Sequence, residues 1–234
     1  MLAMLPAGAP ERSFEVASIR VHTGEAPHWD VSTSGTRLTA DAMDATGLME
    51  YAFDVPYYRI AGVSDRTRYD IVARAEGPEK PSEAEFRDMV RSLLAERFGF
   101  RFHREMRQIN VYALVVDKGG PKLKVSSGEE PCNYIGGLAF GDRGNYQVES
   151  KGCSIDYLPD GPGIDLDRPI VDKTGLKENY DFKLVFNRRD LGVEDDNGVG
   201  FATAIREQLG LRLEPQKVPL DVIVVDSLQK PSEN

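Results

Sequence analysis

Apolar and polar positions alternate along several short runs of this chain, and one such run occurs twice. "RYDIVARA", Arg68 to Ala75, and "NYDFKLVF", Asn179 to Phe186, each place a tyrosine, an aspartate and then alternating apolar residues. A period of two puts those apolar residues on one face of a β-strand. Tyr69 and Tyr180 are 111 residues apart, and the same offset sets Ile60 on Val171, Glu96 on Glu207, and "FGFRF" from Phe98 on "LGLRL" from Leu209. A pattern repeated over this length predicts a duplicated structural unit.

Elsewhere the period becomes helical. Phe86, Met89, Val90, Leu93 and Leu94 share one helix face. Ser82 and Glu85 before them form a capping box, in which two orphan backbone donors find side-chain acceptors. Gly99 ends that helix where a left-handed residue costs little. Asp41 is placed to cap an earlier helix bearing Met43, Leu48, Met49 and Ala52, which Gly47 weakens. "TRLTA", "YYRIAG" and "RYDIVARA" read as strands, and "FRFHREM" with "NVYALVVDK" as a hairpin around Gln108-Ile109.

The first unit, residues 14–118, therefore has the order β-α-β-β-α-β-β, with "FEVASIRV" as an extra edge strand. A linker, "GGPKLKVSSGEEP", covers 119–131. The second unit, 132–234, has strands at "NYQVES", "RPIVD", "YDFKLVF", "RLEPQKV" and "DVIVVDSL" and a helix holding Phe201, Ala204, Ile205 and Leu209. Its first helix has no counterpart, because Pro159, Gly161, Pro162 and Gly163 interrupt "SIDYLPDGPGIDLDRP". The fold class is α+β: two tandem small domains, helices packed on small mixed sheets.

A net charge of -9 leaves no basic surplus for neutralising phosphates, which argues against nucleic acid and equally against an anionic membrane surface. Apolar runs such as "YALVV" are too short to insert across a bilayer. The opening "MLAMLPAGAP" reads as the trimmed remnant of a signal peptide, with a disordered arm as the alternative. Cys132 and Cys153 flank a stretch with hairpin chemistry, "GLAFGDRGNYQVES". A disulfide closing its base fits a periplasmic or secreted protein; two unrelated thiols are the alternative.

Several motifs together resemble one known family. "FEVASIR", "YDIVARA", "LLAERFGFRFHRE", "YALVVDKGGPKLK", "RPIVDKTGLKENYDF" and the terminal "EQLGLRLEPQKVPLDVIVVDSLQKPSEN" are similar to the Solibacter-type soil-bacterial family of unknown function, over nearly the whole chain from Phe14. That resemblance implies export and no particular activity. The element order also resembles the short N-terminal domain of secretins and TonB-dependent receptors, a periplasmic protein-interaction module. The chain departs from the family at "SIDYLPDGPGIDLD", where members carry an amphipathic helix.

Candidate chemistry begins at that departure. Asp160, Asp165 and Asp167, with Asp156 just before, form an acidic Gly-rich loop whose oxygens suit Ca²⁺. Their spacing does not match an EF-hand, and a solvated loop is the alternative. His22, Glu25, His28 and Asp30 beside Trp29 are a second candidate set, for a transition metal, without an established zinc spacing. His103 with Glu105 is a candidate general base and its orienter, against a plain exposed strand face. Lys173-Thr174-Gly175 matches the triplet of serine β-lactamases but lacks an upstream S-x-x-K, so it reads as a turn. Tyr69-Asp70 and Tyr180-Asp181 read as architecture, the tyrosines packing on a helix and the aspartates facing away. The expectation is an exported, non-catalytic binding or scaffold protein that docks a protein or peptide through strand edges. A Ca²⁺-dependent hydrolase of an ester or lactone and a small-molecule carrier are the alternatives.

Overall fold

The computed structural model describes residues 13–24, 30–128, 131–140, 145–158, 166–187 and 199–231. It is α+β, with helices and three small sheets of four strands each. Two compact units emerge: residues 1–107 with 220–234, and residues 108–219.

In the first unit, β1 (Phe14–Val21), β5 (Arg68–Ala75), β3 (Arg37–Asp44) and β2 (Asp30–Ser34) form an antiparallel sheet in that spatial order. The strand foreseen as an edge is an edge. Tyr69, Ile71, Ala73 and Ala75 point inward along β5, as the period of two requires. Tyr69, Ile71 and Ala75 meet Phe86, Met89, Val90 and Leu94 of helix α2 (Glu83–Arg97) in one core. Tyr69 stacks edge-on against Phe98 at 5.3 Å. The α2 capping box is present: the Ser82 amide donates to Glu85 at 2.7 Å and the Glu85 amide to Ser82 Oγ at 3.3 Å. Gly99 adopts φ 57, the left-handed turn that ends the helix.

Helix α1 (Ala45–Phe53) starts later than the sequence predicts. Asp41 remains within β3, and the cap is Asp44, whose side chain accepts from the Gly47 amide at 2.9 Å. The cause is a bulge. Register slips between Ala40 and Met43, and Ala42 adopts φ 52, a conformation that costs an L-residue about 1–2 kcal/mol. The extra residue carries the strand further before the helix begins. A Cβ at Gly47 would fall 2.5 Å from Met43 Cε, the far end of a flexible side chain that can swing aside.

The second unit's sheet runs β7 (Lys124–Val125), β11 (Asn179–Asn187), β9 (Asn145–Ser154), β8 (Asn133–Phe140), again antiparallel. Tyr180, Phe182, Leu184 and Phe186 face its core with Phe201, Ala204, Ile205 and Leu209. Those last four lie on α3 (Phe201–Ala204) and the wider turn Ile205–Leu209 that continues it. The predicted linker is not free chain. Lys124–Val125 pairs with β11, and the Lys122 and Ser126 amides donate to the Leu209 and Asn179 carbonyls, each at 2.8 Å. Its Gly-Pro composition marked a turn but not the acceptors that its backbone finds.

Neither predicted break at Gln108-Ile109 nor the one after Val218 exists. β6 (Arg101–Val116) and β12 (Leu211–Ser227) are each one continuous strand. "REMRQINVY" holds no Gly, Asn-Gly or Pro to make a hairpin turn, so alternation simply continues. Pro215 and Pro219 of β12 share strand parity, which puts both missing N–H groups on one edge. Residues 101–107 and 220–227 of these strands belong to the first unit, their other halves to the second. β4 (Ile60–Ala61) pairs in parallel with β12 at Ile223 and Val224. β10 (Ile170–Asp172) pairs in parallel with β6 from Tyr112 to Leu114.

The repeated aspartates have a shared task. Asp70 accepts from the Ala42 amide at 3.0 Å, and Asp181 from the Gly152 amide at 2.9 Å. Each amide belongs to the bulge of the neighbouring strand, where Gly152 has φ 65. Partial burial pushes the Asp70 carboxyl up, but the Ala42 amide and His22 outweigh it and hold it below the ordinary value. The Gly152 amide and the Ser126 hydroxyl hold Asp181 low. Depressed carboxyls stabilise the fold above the unfolded-state pKa of about 3.9, and that contribution is lost as pH falls through the folded value.

Asp70→Ala is expected to cost about 1–2 kcal/mol in denaturant unfolding, by stranding a buried amide. Asp70→Asn and Asp181→Asn flatten the acid limb of stability below about pH 4, measured by thermal melts against pH. Gly152→Ala costs about 1 kcal/mol through its left-handed φ. Replacing Cys132 and Cys153, which form a disulfide with Cα atoms 4.7 Å apart, costs about 3 kcal/mol for a loop of 21 residues.

Candidate binding groove

The bulge that delays α1 also shapes a groove in the first unit. After α1 the chain turns through Asp54 at φ 53 and Pro56 into a short 3₁₀ turn, Tyr57–Arg59, and then β4. Glu50 of α1 fixes that turn by accepting the Tyr57 amide at 2.7 Å. Arg59 anchors it from the other side, donating through Nε to the Asp221 carbonyl at 2.8 Å. Gly62 at φ 89 lets the chain pass against β12: a Cβ there would meet the Val225 carbonyl oxygen at 3.0 Å.

The resulting cavity of about 480 Å³ is lined by Asp44, Glu50, Tyr57, Tyr58, Arg66 and Arg68, with Ile60 and Gly62 of the β4 segment as one wall. Tyr57 and Tyr58 stack edge to face at 5.6 Å, and Tyr57 is 57% exposed. Arg66 reaches the capping carboxylate of Asp44 at 3.4 Å. The volume suits a small ligand or a few residues of peptide. Paired tyrosines with arginine are the side chains that carry most binding energy at protein interfaces.

The candidates named from the sequence lie elsewhere. His103 of β6 bonds through Nδ1 to Asp226 at 2.8 Å, while Glu105 stands 3.7 Å from Nε2. Glu105 is engaged by Arg107, whose hydrogen bond holds its carboxyl below the usual range. Asp226, not Glu105, is therefore the hydrogen-bonded partner of this imidazole. Asp167 uses both oxygens, accepting from Tyr112 Oη at 2.9 Å and from Arg168 Nε at 3.1 Å. Asp156 bonds Ser154 Oγ at 2.9 Å. Asp160 and Asp165 lie outside the described residues.

His22 bonds through Nδ1 to Asp70 at 2.8 Å, and Asp30 sits on β2 opposite Asp41. Glu25 and His28 lie outside the described residues. Among the described residues, no three His, Cys, Asp or Glu side chains gather as a metal cluster. The Lys-Thr-Gly segment is a turn, in which Asp172 accepts the Thr174 amide at 2.9 Å.

A family of proteins of unknown function, DUF3738, matches residues 46–228. The chain belongs to this family. No curated protein and no solved structure matches it. The DUF3738 span takes in Tyr57, Tyr58, Arg66, Arg68 and both cysteines, and it starts after β1, β2 and β3. Sequence reading missed the groove because its residues are split between a helix start, a 3₁₀ turn and the entry to β5. The one local signal was "PYYR", two adjacent aromatics after a proline.

Gly62→Ala is expected to destabilise the protein by about 1–2 kcal/mol, through the left-handed φ and the contact with Val225. Gly35→Ala is the control. It shares a positive φ of 58 but a Cβ there meets nothing within 4 Å, so its loss should be smaller in the same chemical melts.

Proposed function

We propose that this DUF3738 protein is a non-catalytic binding protein that takes up an extended protein or peptide segment along the open edge of β4. The observation that carries the reading is the tyrosine-lined groove beside that edge. β4 ends its sheet, pairing with β12 on one side. A peptide strand laid on the other side would gain main-chain hydrogen bonds from β4 and side-chain contacts from Tyr57 and Tyr58.

The proposal includes export and a duplicated architecture. Export is supported by the Cys132–Cys153 disulfide, a bond that persists in oxidising compartments. Duplication is supported by like features in each unit: a four-stranded antiparallel sheet, an inward tyrosine at 69 or 180, and an aspartate holding a bulge amide. Secretin-type interaction domains are a fitting analogy for such units, not an assignment.

The test is selection of peptides from a displayed random library with the purified protein, followed by affinity measurement on the enriched sequences. Tyr57→Ala should weaken binding about 10–30-fold. N-methylation of the peptide backbone should abolish binding at alternate positions only, the mark of a strand added at an edge. Enriched peptides that bind Tyr57→Ala as well as the native protein would sink the groove reading. Chelator-sensitive turnover of an aryl ester or lactone, lost in Asp167→Ala, would replace binding by hydrolysis.

A further inference from the structure

The solvent face of the first unit's sheet carries two like-charge pairs of opposite sign. Arg37 of β3 lies directly opposite Arg74 of β5, and Asp30 of β2 directly opposite Asp41 of β3. All four side chains are exposed, and none makes a hydrogen bond or ion pair with another described residue. Like charges directly opposite each other destabilise a sheet, and no counter-charge among the described residues relieves either pair. Along β3 the two pairs stand four residues apart, about 13 Å.

The surface between them is low and partly apolar. Ser18, Val72, Thr39 and Ser32 form the row between them, with Val72 38% exposed, while Val16, 61% exposed, lies beside Arg74 at the cationic end. At the acidic end Asp70 also faces outward but is engaged by His22 and the Ala42 amide, with Arg20 as its cross-strand neighbour. The face therefore has one cationic end, one predominantly acidic end and a flat centre. A twofold axis through the centre exchanges the ends, so the face is complementary to itself.

We propose that this face joins two copies of the chain, Arg37 and Arg74 of each set against Asp30 and Asp41 of the other. The sheets stack face to face in the aligned manner of two twisted sheets. Three strands of eight residues and one of five, about 4.8 Å apart, offer roughly 450 Å² per copy. A total of about 900 Å² lies just below the range of stable specific association, so the dimer is a weak one. This interface is independent of the peptide-binding reading.

Sedimentation of the full chain at physiological ionic strength tests it. The native protein should pass from monomer to dimer between about 10 µM and 1 mM, as a small interface predicts. Arg37→Glu with Arg74→Glu should remain monomeric, as should Asp30→Arg with Asp41→Arg. An equimolar mixture of these two variants should form a heterodimer, because each acidic end then meets a basic one. A merely structural role for the four residues would not produce that rescue. A native protein monomeric up to about 1 mM would overturn the proposal, as would dimeric charge variants or a mixture that stays monomeric. If a reversed variant fails to fold, Arg37→Gln with Arg74→Gln and Asp30→Asn with Asp41→Asn replace the reversals. Each must then weaken dimerisation at least about tenfold, and unchanged dimerisation overturns the proposal.

Discussion

A carboxylate in the middle of one strand captures an amide that the neighbouring strand cannot pair. In the first unit Asp70 takes the Ala42 amide, and the left-handed turn of Ala42 becomes tolerable because that donor is satisfied. Everything next in the chain depends on this bulge. It shifts β3 by a residue, places Asp44 as the cap of α1, and brings Glu50 within reach of the Tyr57 amide. In the second unit Asp181 and Gly152 repeat the device with the residue type that adopts a positive φ most cheaply. The strand there leads into a short 3₁₀ turn, Ile155–Tyr157, capped by Ser154, instead of a full helix.

Beneath that device lies ordinary burial. The inward faces of β5 and β11 are closed by helix side chains, Phe98 on Tyr69 and Phe201 on Phe186 at 5.1 Å. Each fully buried aromatic or leucine contributes on the order of 1.5–3 kcal/mol relative to exposure. The outward faces answer to different demands. On the first unit's sheet they carry charge pairs that local pairing energy disfavours, and beside β4 they leave tyrosine surface open. Those departures from stability are the places where a partner has something to gain.

Much of the frame was legible in the chain. The period of two at "RYDIVARA" and "NYDFKLVF" gave strands β5 and β11, and the capping box gave α2 its start at the right residue. The single strand β6 reads as a hairpin in the sequence and β12 as two strands, because alternating polarity says where a face points but not where pairing stops. The groove was illegible because Asp44, Tyr57 and Arg68 come from three elements, and only their packing brings them to one cavity. His103 shows the reverse case. Its sequence neighbour Glu105 looked like the partner, yet Asp226, 123 residues away, makes the bond.

By itself the sequence determined which faces are apolar, where the best helix begins, and that Tyr69-Asp70 and Tyr180-Asp181 open strands of the same alternating pattern. These follow from periodicity and capping, which act over a few residues. The tertiary structure alone decided that Ala42 is the strained position, that Asp70 and Asp181 hold bulge amides, and that Arg37 faces Arg74. Strand register decides such contacts, and a slip of one residue would reverse every one of them. Alanine gives no local sign of a positive φ, so only the strand beside it could reveal the bulge.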